Sequence, residues 1–440
     1  MPPGLWWPAA VQALAALWQM DRFEAYLLKG PPIRTMKAPP LGKLVVVRDP
    51  GALRKLFTAG PEIARAAEIN RRVLPAIGPG SVMLKDGDEH LALRKLMLPP
   101  FHGEAVKAYA GQIERIARDE LSGWPLGEPF AVHPGMQRIA LEAILGPVFG
   151  ITEGPRADGL RATLPKVLEA NPMAMLAEGR FPWLGRGRIG RLQPWIRARL
   201  EAQRLIREEI AEHRAEPEGR ADVLAMLIAA RDEHGRGLSD DELEDQMMTL
   251  LLAGHETTAS TLAFAFERLA HNPLAAGRLA EEIRDGQGTA YLGAVIDETQ
   301  RTRPVVEVTW RILGEPLELC GYLLPAGTIV VPTIRGVQAS DAFEDAQQFR
   351  PERFLEGKPV PYSLIPFGGG PRRCLGASFA RLEMETVLRV FFEGWELDPI
   401  DGPAEPRNRM RRFSTVPEHG ATVTVRRRAA VGTVPETAPA

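Results

Sequence analysis

A long segment that is apolar on nearly every face constrains the fold of this chain more than any other feature. Ser239 and Glu242 form a capping-box pattern, which predicts the start of a helix. Helical periodicity continues to His271 and stops at Pro273, because proline cannot continue a helix. Such a helix is about 48 Å long at 1.5 Å per residue. Its middle, residues 247–266, is apolar almost all round, so we predict a buried helix that crosses the whole protein.

The length and net charge of the chain limit the classes of protein to which it can belong. The chain has 440 residues and a formal net charge of −2, which does not suggest nucleic-acid binding, since that function normally needs a basic patch or stripe. Length alone would predict two or three domains. No internal repeat or long linker divides the chain. We therefore predict one domain over residues 1–440, with residues 1–40 and 430–440 peripheral.

Most of the remaining sequence has helical periodicity. Residues 44–47 and 317–331 are predicted to be strands, because they are short, apolar and bounded by Gly, Pro or Asp. Residues 171–190 are rich in Gly and Pro and are predicted to form a long surface loop. The predicted fold class is mainly α with small β-sheets.

The first apolar segment, residues 5–18, is shorter than the ~20 residues that a membrane-spanning helix needs. No basic residue precedes it, unlike in a signal peptide. We therefore expect no transmembrane segment. The chain has two cysteines, too few for a disulfide framework, which predicts a reducing compartment, the cytoplasm. Cys320 is expected to be ordinary core. A peripheral membrane contact through Trp6, Trp7 and Trp18 is the alternative.

The central helix contains a polar interruption at residues 253–258, Ala-Gly-His-Glu-Thr-Thr. Glu256 in an apolar helix costs free energy unless it has a partner or water, and Gly254 weakens the helix by about 1 kcal/mol relative to Ala. Thr257 can bond back to a carbonyl one turn earlier. Three residues that are unfavourable inside a buried helix, so close together, indicate a functional site. From these residues alone, a kinked helix with Glu256 in a salt bridge is an equal alternative.

A glycine-rich loop, residues 367–376, contains the second cysteine, Cys374. Its three consecutive glycines allow backbone dihedral angles that other residues avoid. Arg372 and Arg373 are expected to favour a thiolate, as is the N-terminus of the helix predicted at residues 377–391. A stabilised thiolate on a tight loop suits a metal ligand. The alternative is a glycine-rich turn that holds a buried structural cysteine.

Both segments resemble signatures of the cytochrome P450 family. The loop is similar to the pattern F-x-x-G-x-R-x-C-x-G, and residues 253–258 are similar to the oxygen-activation motif at every position. The resemblance implies a cytochrome P450 fold around haem b, with Cys374 as the thiolate ligand of the iron. It implies that Glu256 and Thr257 are the catalytic acid and alcohol that deliver protons, and gives His255 no metal role. Further residues implied to contact the cofactor are Ala253, Gly254, Phe367, Gly368, Arg372 and Gly376.

Two further motifs occur in the order that this family uses. Glu298 and Arg301 lie one turn apart on a helix that is predicted to end at Pro304. By itself such a pair is usually a surface ion pair of little energetic value. The resemblance implies instead a buried triad with Arg353 that locks the cysteine loop.

The second motif places His90 and Arg94 four residues apart on one helical face. The resemblance implies that these two residues, with Arg311 and Arg372, pair with the haem propionates, because charge-assisted hydrogen bonds suit carboxylates. A solvated helix face is the alternative.

The implied activity is insertion of one oxygen atom from O₂ into an apolar substrate such as a terpenoid, a fatty acid or a similar lipid. A peroxygenase or isomerase and a non-catalytic haem sensor are the alternatives. By resemblance, the pocket walls come from five variable segments: residues 72–83, 173–183, 249–253, 305–308 and 413–415. Val305, Val306 and Phe413 suggest an apolar pocket.

Electrons are expected from a separate ferredoxin or flavodoxin with an NAD(P)H-dependent reductase, and the protein is expected to be a monomer. Acidic electron donors would be steered to a basic face on the cysteine side. The residues predicted to form that face are Arg94, Lys95, Arg353 and Arg373.

Overall fold

In a computed structural model of the protein, the described residues are 2–4, 7, 8, 12, 29–38, 41–74, 77–168, 193–286, 288–408 and 414–428. Most of their regular structure is helical. The helices are α1 (Pro50–Phe57), α2 (Ala67–Val73), α3 (Gly87–Met97), α4 (Glu104–Ala108), α5 (Ala110–Ser122), α6 (His133–Phe149), α7 (Pro155–Leu168), α8 (Pro194–Ala215), α9 (Val223–Ala229), α10 (Asp240–Ala270), α11 (Pro273–Asp285), α12 (Ala290–Thr302), α13 (Ile334–Gln338), α14 (Arg353–Glu356) and α15 (Ala377–Gly394).

The strands are short and scattered along the chain. They are β1 (Ile33–Ala38), β2 (Gly42–Val47), β3 (Ala64–Arg65), β4 (Phe130–Ala131), β5 (Arg311–Leu313), β6 (Leu317–Leu319), β7 (Tyr322–Leu324), β8 (Ile329–Pro332), β9 (Trp395–Leu397), β10 (Arg407–Asn408), β11 (Val416–Pro417), β12 (Thr422–Val423) and β13 (Val425–Arg427). The predicted class, mainly α with small β-sheets, is confirmed.

The largest sheet has five strands in the order β1-β2-β8-β5-β3. Within it β2 and β8 pair in parallel, with Leu44 opposite Ile329 and Val47 opposite Pro332, whereas the other neighbours pair antiparallel. Parallel strands need a crossover connection, and here the helices α1 to α12 lie between the two strands in the chain. The sheet therefore joins the beginning of the chain to the segment that follows α12.

The predicted central helix is α10, and it lies at the middle of the core. Ser239 caps it with both halves of the capping box, and His271 ends it after 31 helical residues. Its first half, from Leu243 to Leu252, packs in one apolar cluster with α3 and α6 to α9. Its second half, from Ala259 to Ala270, packs in another with α5, α11, α12 and α15. The interval between the two halves coincides with the polar interruption predicted to be functional.

Residues 317–331, predicted to be strand, form three separate strands, β6, β7 and β8. β6 and β7 make a hairpin, and Cys320 and Gly321 are its two-residue turn with φ angles of 49° and 78°. Positive φ at both central residues is the signature of a type I′ turn. The expectation that Cys320 is core was wrong: the turn leaves its side chain exposed.

Several predicted features lie outside the described residues. They include the loop at residues 171–190, the chain after residue 428 and most of residues 5–18. Among the helices that the structure describes, none is both long enough and apolar enough to cross a membrane.

Candidate active site

The middle of α10 is open on one side. Ala253 is exposed and Gly254 and Thr257 are half-buried, although their neighbours along this helix are buried. The Thr257 hydroxyl donates a hydrogen bond of 2.7 Å to the carbonyl of Ala253, one turn earlier. This is the back-bonding that the sequence predicted. It leaves a small residue and a hydroxyl together on the accessible face of a helix that is otherwise buried.

Glu256 lies on a different face of α10, against α6. Its side chain is 1% exposed. One carboxylate oxygen accepts a hydrogen bond of 2.9 Å from Gln137 Nε2, and the other lies 3.2 Å from His133 Nε2. Ser260, one turn further along α10, approaches the same carboxylate at 3.5 Å. The acid and the alcohol of the predicted pair therefore point to different sides of the helix.

Gly254 has a packing reason for its small size. A Cβ at this position would lie 3.0 Å from Cδ1 of Ile144 on α6, which is closer than a normal contact. The missing side chain of Gly254 thus allows α6 to approach α10, and its predicted contact with the cofactor stays a prediction. His255 also faces α6, where its Nε2 lies 3.0 Å from the carbonyl oxygen of Gln137.

The cysteine loop depends on glycines in left-handed conformations. Gly368 and Gly370 have φ angles of 68° and 63°, and the N–H of Cys374 closes the loop with a hydrogen bond of 2.9 Å to the carbonyl of Phe367. A Cβ on Gly370 would lie 1.8 Å from the carbonyl oxygen of Phe57, at the end of α1. The close approach that requires Gly370 is thus to the protein's own backbone.

The cysteine thiol is not activated by its arginine neighbours to the extent that the sequence predicted. Cys374 is accessible to solvent, yet burial raises the pKa of its thiol, and the Gly376 N–H, Arg94 and Arg373 lower it by less. An accessible sulfur in a desolvating environment indicates that it faces an internal space. The expected thiolate would follow from metal coordination, because a bound metal ion deprotonates a coordinating thiol outright.

Arg372 points away from the sulfur, to the loop before α3. Its guanidinium donates to Asp86 at 2.5 Å and to the carbonyl of Lys85. The Asp86 carboxylate also accepts hydrogen bonds of 2.9 Å from the N–H groups of Ala66 and Ala67, at the start of α2. Sequence reasoning did not identify Asp86, the residue before α3, as part of the site. Its contacts with Arg372 and α2 depend on segments that are distant in the chain.

His90, Arg94, Arg311 and Arg372 are brought within electrostatic reach of one another. Burial, followed by the charges of Arg372 and Arg94, lowers the pKa of His90 to about 4. Burial also lowers the pKa of Arg311 to about 10, with a contribution from Arg372. Each shift shows that another positive charge is unfavourable here.

The charges of this group do not balance. Among the described residues, Asp86 is the acid that acts on His90, Arg311 and Arg372, so the group holds three guanidiniums, including that of Arg94, and one carboxylate. Two positive charges are left on half-buried or buried side chains, an arrangement that needs anionic partners. A ligand with two carboxylates fits this site.

The buried triad brings together Glu298, Arg301 and Arg353. Arg301 donates two hydrogen bonds of 2.7 Å to the two oxygens of Glu298, and both side chains are fully buried. Arg353 lies 3.2 Å from the same carboxylate and is 8% exposed. Including Arg353 in the basic docking face was wrong, because this ion pair holds it inside. By contrast, Lys95 is 81% exposed and Arg373 is exposed.

Gln338, which sequence reasoning missed, connects the triad to the segment before the cysteine loop. Its backbone carbonyl accepts a hydrogen bond of 3.0 Å from Arg301. Its side chain donates to the carbonyl of Gln300 at 2.8 Å and accepts from the N–H of Ile365 at 3.0 Å. No local motif marks such a residue, since its partners come from segments far apart in the chain.

The predicted pocket walls are described only in part. Val305 and Val306 are half-buried, and the carbonyl of Val305 accepts a hydrogen bond of 2.7 Å from the N–H of Thr415. Thr249 bonds to Ser81 at 2.8 Å, which ties the segment before α3 to α10. Phe413 and residues 173–183 lie outside the described residues.

Comparison with known proteins identifies the family. The cytochrome P450 family model matches residues 21–424. Cytochrome P450 135B1 of Mycobacterium tuberculosis is 40% identical over 436 residues, covering 97% of this chain and 91% of the relative. Cytochrome P450 137 of the same organism is 37% identical over 440 residues, with the same coverage of both chains.

A solved structure shows the same fold. The retinoic acid-bound cyanobacterial CYP120A1 superposes with a TM-score of 0.84 at 24% identity, over 97% of this chain and 99% of that one. The family binds haem through an iron–thiolate bond, and the accessible Cys374 on its glycine-rich loop, near Arg94 and Arg373, is consistent with that chemistry. With the family model matched over nearly its whole length, this chain belongs to the cytochrome P450 family of haem-thiolate monooxygenases.

Proposed function

We propose that the chain binds haem b at Cys374 and inserts one oxygen atom from O₂ into an apolar, lipid-like substrate. The observation that supports this most strongly is the pair of unbalanced positive charges among Arg94, Arg311 and Arg372, close to an accessible cysteine. Haem b has two propionates that would balance these charges and an iron that would bind the thiolate. His90, which lies beside these arginines, would bind a propionate through a ring N–H as a hydrogen-bond donor.

Each residue of the site would have its own role in the reaction. Cys374 would hold the iron, and haem bound in this way supplies oxygen activation, since a thiolate ligand favours O–O cleavage. Phe367 and Gly376 would pack beside the cofactor on the loop, and Ala253 on α10. Thr257 would hold a water molecule on the accessible face of α10, while Glu256, buried against α6, would store a proton for it.

Separate proteins would supply the electrons. We expect a ferredoxin or flavodoxin with an NAD(P)H-dependent reductase, because exposed Arg373 presents positive charge on the cysteine loop and Lys95 is exposed on α3. Arg94 is half-buried and would contribute less. The protein would act as a monomer in the cytoplasm, where its two cysteines would stay reduced.

The substrate class rests on few described residues. Val305 and Val306 are aliphatic and half-buried, and Val305 contacts Thr415, the residue before β11. Terpenoids and fatty acids are the compounds to screen first, and the site of oxidation is to be read from the products.

The test combines a spectrum with an activity assay. The reduced carbon monoxide complex should show the red-shifted thiolate band, and Cys374→Ala should abolish it. Cys320→Ala is the matched control, because Cys320 lies exposed on the β6–β7 hairpin and should leave the band unchanged. Product formation with NAD(P)H and surrogate redox partners would support the monooxygenase. Turnover that depends strictly on peroxide would replace it with a peroxygenase, and ligand binding without any turnover would indicate a sensor.

A further inference from the structure

The strongest unassigned feature is a set of side-chain hydrogen bonds from α10 to the segment before α3. Asp245 Oδ2 accepts a hydrogen bond of 2.6 Å from the N–H of Gly80. Gln246 makes two bonds: its Oε1 accepts from the N–H of Val82 at 2.9 Å, and its Nε2 donates to the carbonyl of Gly80 at 2.7 Å. Both side chains on α10 are buried, so little water competes for these bonds.

Thr249 adds a third contact, one turn after Asp245 on α10. Its hydroxyl lies 2.8 Å from the hydroxyl of Ser81, and both side chains are buried. Ser81 also accepts a hydrogen bond of 3.2 Å from the N–H of Met83 and caps a short 3₁₀ turn. We call Asp245, Gln246 and Thr249 the α10 clamp, because together they hold one short segment of backbone against the helix.

Two glycines shape the held segment to the Asp245 carboxylate. A Cβ on Gly78 would lie 1.5 Å from Asp245 Oδ1, and a Cβ on Gly80 would lie 2.8 Å from Oδ2. Neither glycine has a positive φ angle, so space rather than backbone conformation requires them. Burial raises the pKa of Asp245, and Glu244 and Asp241 act in the same direction, against the Gly80 N–H. An acid in an unfavourable position, enclosed by two glycines, indicates a residue that is retained for its contacts.

The α10 clamp lies next to the open face of α10. Residues four apart are neighbours on a helix, and four such residues follow one another here: Asp245, Thr249, Ala253 and Thr257. The first two are buried under the held segment, whereas Ala253 is exposed and Thr257 is half-buried. The held segment therefore forms the N-terminal limit of the open face.

The same segment continues to the cation group. The Lys85 carbonyl and the Asp86 carboxylate, a few residues after the α10 clamp contacts, both accept hydrogen bonds from Arg372. Val82 and Met83 lie between these two attachments and are half-buried. This stretch of chain thus runs from the open face of α10 to the residues proposed to bind the haem propionates.

We propose that the α10 clamp fixes this segment as a wall of the substrate site and thereby determines which molecules fit beside the cofactor. The inference rests on the proposed function, because the wall borders the space in which cofactor and substrate would bind. Asp245 and Gln246 would be positioning residues, since they contact the wall and not the substrate. A site selects by shape when its walls are locked by buried hydrogen bonds, so release of the α10 clamp should change selectivity.

Two variants release the wall from opposite sides. Asp245→Ala removes the carboxylate from α10, whereas Gly78→Ala places a methyl group against that carboxylate and leaves α10 unchanged. In the double variant the methyl group no longer meets a carboxylate, so the two effects should not add. Asp241→Ala is the matched control, because Asp241 lies one turn earlier on α10 with its side chain 89% exposed.

The first readout is the binding of two azoles to the haem-loaded protein, followed by the shift of the haem absorption band. Imidazole is small enough to be held by the iron alone, whereas 4-phenylimidazole adds a ring that must pack against the walls. We expect the Kd of 4-phenylimidazole to rise about 10-fold in both single variants, from partial loss of the apolar contact of one ring. The Kd of imidazole and the control variant should not change. The wild-type ratio of the two Kd values in both single variants would overturn the proposal.

Hydrogen exchange provides a readout that does not depend on haem. In Asp245→Ala the N–H groups of Gly80 and Val82 should exchange roughly 10- to 100-fold faster, the range expected for loss of a hydrogen bond to a charged group. Unchanged exchange would show that the α10 clamp does not hold the segment, and would overturn the proposal. Faster exchange with an unchanged ratio of azole Kd values would leave only a structural role, and would overturn it too. The proposed function fails separately, if the wild-type protein shows no thiolate band and forms no product.

Discussion

The triad residue Arg301 permits the sharpest test of what holds the cysteine loop region together. Arg301→Met removes the guanidinium and keeps an unbranched apolar side chain. Breaking a buried ion pair from one side costs about 3–5 kcal/mol, because the remaining charge is left without its partner. Glu298, fully buried, would lose this partner and keep, among the described residues, only Arg353, 3.2 Å away, as an ionic partner, so the lower end of that range applies.

Arg301 also donates hydrogen bonds to three backbone carbonyls. The acceptors are Gln338 at 3.0 Å, Ala346 at 2.8 Å and Gln348 at 2.9 Å. Ala346 is half-buried and Gln348 exposed, so water can replace the donor at both, whereas Gln338 is buried and an unsatisfied carbonyl there costs about 1–3 kcal/mol. We therefore expect a loss of about 5 kcal/mol, from about 3 kcal/mol for the pair and about 1–3 kcal/mol for the carbonyl. That is a third or more of the typical stability of about 5–15 kcal/mol.

The assay is equilibrium unfolding in urea, followed by tryptophan fluorescence, with haem content measured on the purified protein. Arg65→Met is the control, because its ion pair with Glu62 is exposed, with side chains 47% and 67% accessible. An exposed pair of this kind should change the free energy of unfolding by about 0.5 kcal/mol or less. Arg301→Lys should lie between the two, since lysine keeps the charge but not the forked geometry.

The reasoning would be refuted if Arg301→Met unfolded at the wild-type urea concentration and contained a full complement of haem. The triad would then be energetically equivalent to a surface ion pair. Loss of haem with unchanged unfolding would show instead that the triad positions the loop without stabilising the fold.

Three further outcomes are expected. Thr257→Ala should still bind haem and substrate, but should form less product per NAD(P)H and more hydrogen peroxide; unchanged coupling would show that the hydroxyl is structural. Gly370→Ala should give haem-poor protein, because its Cβ would lie 1.8 Å from the carbonyl oxygen of Phe57, and normal haem loading would contradict this. Burial lowers the pKa of His213, but its hydrogen bonds to Asp222 and Glu209 outweigh burial and raise it to about 9. Because the folded state holds this proton more tightly, the stabilisation should be complete below about pH 6.5 and should disappear as the pH rises through about 9. His213→Gln should flatten that part of the stability curve in urea unfolding, and the same slope in both proteins would contradict the assignment.

Features that depend on neighbouring residues were predictable from the sequence. The capping box at Ser239 and the stop at Pro273 delimit α10 within a residue, because a helix begins and ends through local hydrogen bonds. The back-bond of Thr257 follows from the one-turn spacing to Ala253. The wrong expectation for Cys320 has a local explanation as well: its turn needs positive φ angles, a conformation that is unusual for cysteine.

Features that depend on distant segments were decided only by the tertiary structure. The sequence by itself determined the central helix, the cysteine loop and the spacing of the charged motifs, since each is specified within one or two turns of the chain. Only packing decided that Arg372 pairs with Asp86, that Gln338 reaches Ile365 and that Glu256 turns to His133. Burial also raises the pKa of the Cys374 thiol, because desolvation outweighs the nearby positive charges. Partners of this kind lie far apart in the chain and meet only when helices and loops bury them together, so no local pattern encodes them.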